Sequence, residues 1–214
     1  MRTIFSILLA TLLIYPSFVS AKDYFFLGTE DQSYENEENW YPEFPGKKIR
    51  LGDRVIIQAD MNFERTNLLV EGELNVELGA MLHSGSGSVI IKPFGALSNH
   101  GSISVYGVIN YGKFENNVAA MVVIERYLAH ESATTNNLMS ARFITAHHII
   151  NKGVFNNYSY CEVGGNFKNT SVFNQINNSE LDVSGIMIEM PGARLNQSAE
   201  SVARIGDAET LENR

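Results

Sequence analysis

The chain has 214 residues, of which 44% are apolar and 19% charged, with a formal charge of −8 at pH 7. That length and apolar share suit one domain with a continuous core. The acidic balance argues against nucleic acid and anionic membrane surfaces as partners, because both are bound through basic patches that displace counterions. A single cysteine, Cys161, excludes an internal disulfide framework, so packing and hydrogen bonds must hold the fold.

Residues 1–21 are expected to be a signal peptide. Arg2 supplies a basic start, Ile4 to Val19 is mostly apolar, and Val19-Ser20-Ala21 places small residues where a signal peptidase cuts. The run is short for a membrane span, and Tyr15-Pro16 interrupts its end. The expected mature chain begins at Lys22, carries no transmembrane segment, and is secreted to the extracellular space or cell surface.

Residues 22–66 form a compositionally distinct stretch expected to cap the repeats C-terminal to it. Asp23-Tyr-Phe-Phe-Leu27 has strand character, Glu30 to Glu38 is an acidic loop, and Trp40 is followed by Pro42 and a Pro45-Gly46 turn signal. A stack of strands must cover its open end, and the only Trp of the chain suits that task. A sugar-stacking platform is the alternative role for Trp40.

From residue 67 to 197 short alternating pieces recur: Glu73–Val76, Ser88–Ile91, Ser102–Val105, Arg142–Thr145, Tyr160–Val163 and Glu180–Val183. Leu74, Val89, Ile103, Phe143, Cys161 and Leu181 occupy matching places in these pieces, 14 to 20 residues apart except for one interval of 40 that holds two turns. A repeat of this size means stacked units that bury an apolar face only against their neighbours. The expected fold is all-β, a parallel β-helix or β-solenoid with an N-terminal cap. An antiparallel β-sandwich is the alternative, although tight Asn-Gly and Asp-Gly hairpin pairs are scarce. Gly and Asn recur at corners, where inward Asn amides can bond along the stack as ladders. Val118 to Ala141 breaks the rhythm, and Ala129 to Asn137 is expected to be a projecting loop. Residues 198–214 are expected to be a short capping helix, with Val202 and Ile205 on one face, or a tail.

The segment Asn39-Trp40, Pro45-Gly46 and Gly52-Asp53-Arg54-Val55-Ile56-Ile57 resembles the opening of secreted bacterial right-handed parallel β-helix proteins and of G8-type surface domains. The Gly-x-apolar-x-Asn rungs downstream resemble haemagglutinin-like and adhesin-like repeats on the pectate-lyase-like superfold. The resemblance covers roughly residues 39–197. It implies a right-handed β-helix at the cell surface with an adhesin-like role, and the signature motifs of the pectate-lyase enzymes are not evident.

Two constellations carry chemistry. Glu162 and Asp182 fall at equivalent positions of consecutive pieces, so stacking places them about 5 Å apart on an outer face, with Glu73 on a related line. Such a pair serves a polysaccharide lyase or glycosidase, or binds Ca²⁺; a solvated face predicts the same residues. Tyr106, Tyr111, Tyr158 and Tyr160 fall near corners and are candidate sugar platforms or packing groups. The pair His147-His148 points to opposite faces of a regular strand and cannot share a metal, and no metal-ligand spacing occurs elsewhere. Asn157, Asn169, Asn177 and Asn196 begin Asn-x-Ser/Thr sequons. Three functions stay open: a non-catalytic adhesin-like module recognising an extracellular polysaccharide or surface protein, a carbohydrate-active enzyme using Glu162 and Asp182, and a structural unit that self-associates through its C-terminal end.

Overall fold

The computed structural model describes residues 21–64 and 66–206. The expected signal peptide and the last eight residues lie outside them, save for Ala21 at the expected cleavage point. The described chain winds into a β-solenoid of about 8 turns with 56% of residues in strands. Each turn lays one short strand on a 10-stranded sheet and one long, bent strand on a 12-stranded sheet. All strand pairs among the described residues are parallel, except Asp23–Phe26 with Trp40–Tyr41. The antiparallel sandwich is thereby excluded.

Alternation along each strand sends every second side chain into the interior, and parallel register stacks like positions into columns. On the first sheet the inward column runs Leu74, Leu97, Phe114, Thr135, Phe155, Phe173 and Leu195. On the second it runs Leu82, Ile103, Val122, Phe143, Cys161, Leu181 and Ala203. The 40 residues between Ile103 and Phe143 do hold two turns, with Val122 as the missing rung. Leu74 is not equivalent to the others, because Glu73–Val76 belongs to the opposite sheet. Val89 belongs to the second half of a bent strand and stacks on Val108 and Tyr127. Leu74 and Val89 therefore depart from a single-column reading because each turn contributes three alternating pieces rather than one.

Val118 to Ala141 is no insertion. It holds the strand Met121–Ala129, a corner, and the strand Thr134–Asn137, all in register with the turns on either side. The polar run looks like a loop because its inward residues, Thr135 and Asn137, are polar yet fully buried. Tyr127 Oη meets Thr135 Oγ1, and Asn137 joins an amide ladder. In that ladder Nδ2 of Asn99, Asn116 and Asn137 donates to Oδ1 of Asn116, Asn137 and Asn157 at 2.9, 2.9 and 2.8 Å. The second amide hydrogen of each donates to a backbone carbonyl of Met121, Arg142 or Tyr160. A buried amide is tolerated when both its donor and acceptor groups are matched, and stacking does this without a water.

The first turns begin earlier than residue 67: Asp23–Phe26 pairs with Arg54–Ile57, which pairs with Glu73–Val76. Trp40 is buried and roofs this end, edge-on to Phe26 and Tyr34 at 5.1 and 5.3 Å, with Nε1 donating to the Tyr34 carbonyl at 2.9 Å. Asn39 ties the acidic loop beneath it, donating to Asp31 Oδ1 at 2.7 Å and accepting from the Glu30 amide at 3.0 Å. Trp40 is a cap, and its ring is not open to a sugar. At the other end Val202–Ile205 is a strand paired with Glu180–Val183, not a helix. The alternation Val-Ala-Arg-Ile continues the rung, and strand pairing outweighs a helical reading of two apolar residues.

Candidate functional site

The register that brings Glu162 beside Asp182 is the one the repeat predicts, with Tyr160 beside Glu180 in the same pair of strands. Both carboxylates point outward and line a shallow depression of about 350 Å³ with Tyr160, Ser184 and Arg204. Tyr160 Oη lies 3.0 Å from Glu162 Oε2 and 3.2 Å from Asp182 Oδ2, so one phenolic proton serves both. Burial, then the bond to Glu162, pushes the Tyr160 phenol up to about 12, which keeps it a donor. From the next rung Arg204 Nη1 reaches Asp182 Oδ1 at 3.1 Å and Glu180 Oε2 at 3.2 Å. The hydrogen bonds to Asp182 and then Glu180 raise the guanidinium further above its ordinary value.

This network is closed on itself. Arg204 stands where a cation bridging Asp182 and Glu180 would sit, and among the described residues no group of three or more His, Cys, Asp or Glu is arranged to hold a metal. Glu73 is not on the line of Glu162 and Asp182, because its strand lies in the other sheet. Arg204 had no signal in the sequence, as it lies in the stretch expected to be a helix or tail.

The four tyrosines separate by what covers them. Arg126 lies 5.9 Å from the centre of the Tyr106 ring, and Arg142 lies 5.3 Å from that of Tyr160. The Tyr111 ring stacks on His130 with centroids 4.8 Å apart. In each case the neighbour one turn away takes a ring face that a sugar would use. Tyr158 differs: among the described residues its ring and hydroxyl have no stacking, cationic or hydrogen-bonding partner.

Corner length explains where the remaining surface depressions lie. Four residues join Asn137 to Arg142 and Gln175 to Glu180, but only two join Asn157 to Tyr160. The long corners at Leu138–Ala141 and Ile176–Ser179 project past Tyr158-Ser159 and leave a notch of about 380 Å³ over the short one. The same rule holds on the opposite edge. Pro93-Phe94 and Ser132 flank a notch over the short corner Tyr111-Gly112, and Leu51 and Phe94 flank one over Glu71-Gly72. Short corners carry a local signature. An inward Asn ends the strand and its Oδ1 accepts the N–H two residues on, at Gly101, Gly112, Gly153, Ser159 and Ser171. Two of the sequons, at Asn157 and Asn169, are this motif, and both Asn side chains are fully buried.

The remaining candidates are structural. Cys161 is fully buried, and burial pushes its thiol well above the usual range, so it is held protonated and unreactive. His147 and His148 do not face opposite ways. The strand Arg142–Asn151 bulges between Thr145 and His148, which turns both rings outward. His147 Nε2 lies 3.0 Å from Glu125 Oε2, whereas His148 Nδ1 accepts the Asn166 amide hydrogen at 3.0 Å, so their partners differ. No family model, curated protein or solved structure matches this chain.

Proposed function

We propose that the chain is a non-catalytic binding module, secreted or held at the cell surface, that recognises an extracellular polysaccharide or surface protein through its outer faces. The observation that supports this reading over a lyase or glycosidase is the closed network at Glu162 and Asp182. Glycoside hydrolysis asks one carboxyl to hold a proton and its partner to stay free across the scissile bond. Here a single Tyr160 hydroxyl bridges both groups, Arg204 neutralises Asp182, and the depression around them is open to solvent. The N-terminal apolar run ending at Val19-Ser20-Ala21 supports export. The outer columns, repeating at the spacing of strands, suit recognition of an extended polymer.

The test is an array of polysaccharides and surface proteins probed with purified protein, run beside an assay for new reducing or unsaturated ends on the same polymers. Binding without product is expected, and Glu162→Gln should leave it unchanged. Product formation that disappears in Glu162→Gln would replace the binding module with the enzyme.

A further inference from the structure

The four-residue and two-residue corners of a solenoid edge are usually a matter of chain length alone, but here they select one tyrosine. Tyr158 sits on the floor of a notch walled by Met139-Ser140 on one side and Asn177-Asn178 on the other. Ser140 and Asn177 hold positive φ of 62° and 58°, the conformation that turns each long corner outward beside the short one. The notch meets the depression at Glu162 and Asp182 through Tyr160, which lines both. Among the four corner tyrosines it is Tyr158 whose ring and hydroxyl are uncommitted.

We infer that this notch is the ligand site of the module, and that it takes a neutral oligosaccharide of pyranose units. The inference rests on the binding-module reading and adds the place and the chemical class. A pyranose offers a face of C–H groups and a rim of hydroxyls. The Tyr158 ring supplies an amphipathic platform for the face, while the Asn177 and Asn178 amides, the Ser159 hydroxyl and the Glu180 carboxylate supply partners for the rim. A volume of about 380 Å³ falls within the roughly 300–1,000 Å³ typical of small-ligand sites. Charge decides against a uronate. Glu180 is the one charged group lining the notch among the described residues, and its nearest cation, Arg204, is already shared with Asp182. A carboxylate-bearing sugar entering there meets like charge with no free cation to offset it.

Calorimetric titration of the purified protein with cellohexaose, mannohexaose, chitohexaose and hexagalacturonate tests both parts. At least one neutral hexamer should bind more tightly than hexagalacturonate. Tyr158→Ala should weaken that binding about tenfold or more, a loss of about 1.4 kcal/mol, while Tyr106→Ala leaves it unchanged. A second variant inserts Gly-Ser between Tyr158 and Ser159, which keeps the ring but lengthens the corner and fills the notch; it should lose binding to a similar degree. Tighter binding of hexagalacturonate, or neutral binding indifferent to both variants, would overturn the inference and leave the binding module with a different face. Failure of every hexamer would also overturn it. The binding module itself then survives only if the array returns a protein or polymer ligand.

Discussion

At the scale of single residues, the interior is unusual for how many polar groups it seals in. Asn99, Asn110, Asn116, Asn137, Asn151, Asn157 and Asn169 are all fully buried, and each spends its amide hydrogens on the turn above. Where the second such column loses its amide, at Ala129, Asn110 turns to Tyr127 Oη and Thr135 Oγ1 instead. Tyr127 is therefore both core ring and polar partner, and burial pushes its phenol up to about 12 from 10.0. A raised value means the folded chain holds the proton more tightly than the unfolded chain does. Its contribution to stability is complete below pH 10 and is lost as pH rises from 10 to about 12. Thermal melts across pH 9–12 should show the midpoint falling in that window, and Tyr127→Phe, which has no proton to lose, should flatten the fall.

At the scale of the element, the corner is the unit that varies while the strands repeat. A two-residue corner must pass close under the backbone of the previous turn, and glycine allows it. A Cβ at Gly112 would lie 2.3 Å from the Gly95 carbonyl oxygen and 2.4 Å from that of Lys92. Neither oxygen can swing aside, since both belong to backbone. Gly85, in contrast, has nothing within 4 Å of its Cβ position and an ordinary φ. Gly112→Ala should cost about 1–3 kcal/mol through overpacking, and Gly85→Ala should stay within about 0.5 kcal/mol of the parent. Urea unfolding reads both, as a lower midpoint at unchanged slope for the first and no shift for the second. The long corners use a different device. Their fourth residue is small and its N–H closes the turn on the first residue's carbonyl, as in Ala120 to Asn117 and Ala141 to Leu138.

At the scale of the whole molecule, each turn touches only its neighbours, so stability is a sum along one axis rather than a property of one centre. The aromatic stack concentrates that sum in the middle. Tyr127, Phe143 and Phe155 pack edge-on with centroids 5.1 to 6.0 Å apart, and Phe173 continues them. Toward the last described turn the inward residues become Leu195, Ala203 and Ile205, each only partly buried. Amide hydrogen exchange should accordingly be slowest over Phe114–Phe155 and faster over Arg194–Ile205. Uniform protection from end to end would show that the turns unfold as one unit and that the neighbour-only description is wrong.

Much of this was legible in the order of residues. Alternation and the recurring interval determined a parallel stack, the Asn positions determined its ladders, and equal offsets within two pieces determined that Glu162 stands beside Asp182. These features are local or strictly periodic, and a periodic pattern carries its own register. The rest depended on groups 17 to 22 residues apart meeting across turns, which no local pattern records. Only the tertiary structure decided that Thr134–Asn137 is a rung and not a loop, because its polar side chains find partners only in adjacent turns. In the same way it placed Arg204 on Asp182, gave Tyr106, Tyr111 and Tyr160 neighbours that cover them, and set a short corner between two long ones. A notch is a difference between neighbouring turns. That difference exists only once the turns are stacked, which is why Tyr158 stood level with three other tyrosines in the sequence and stands apart from them in the fold.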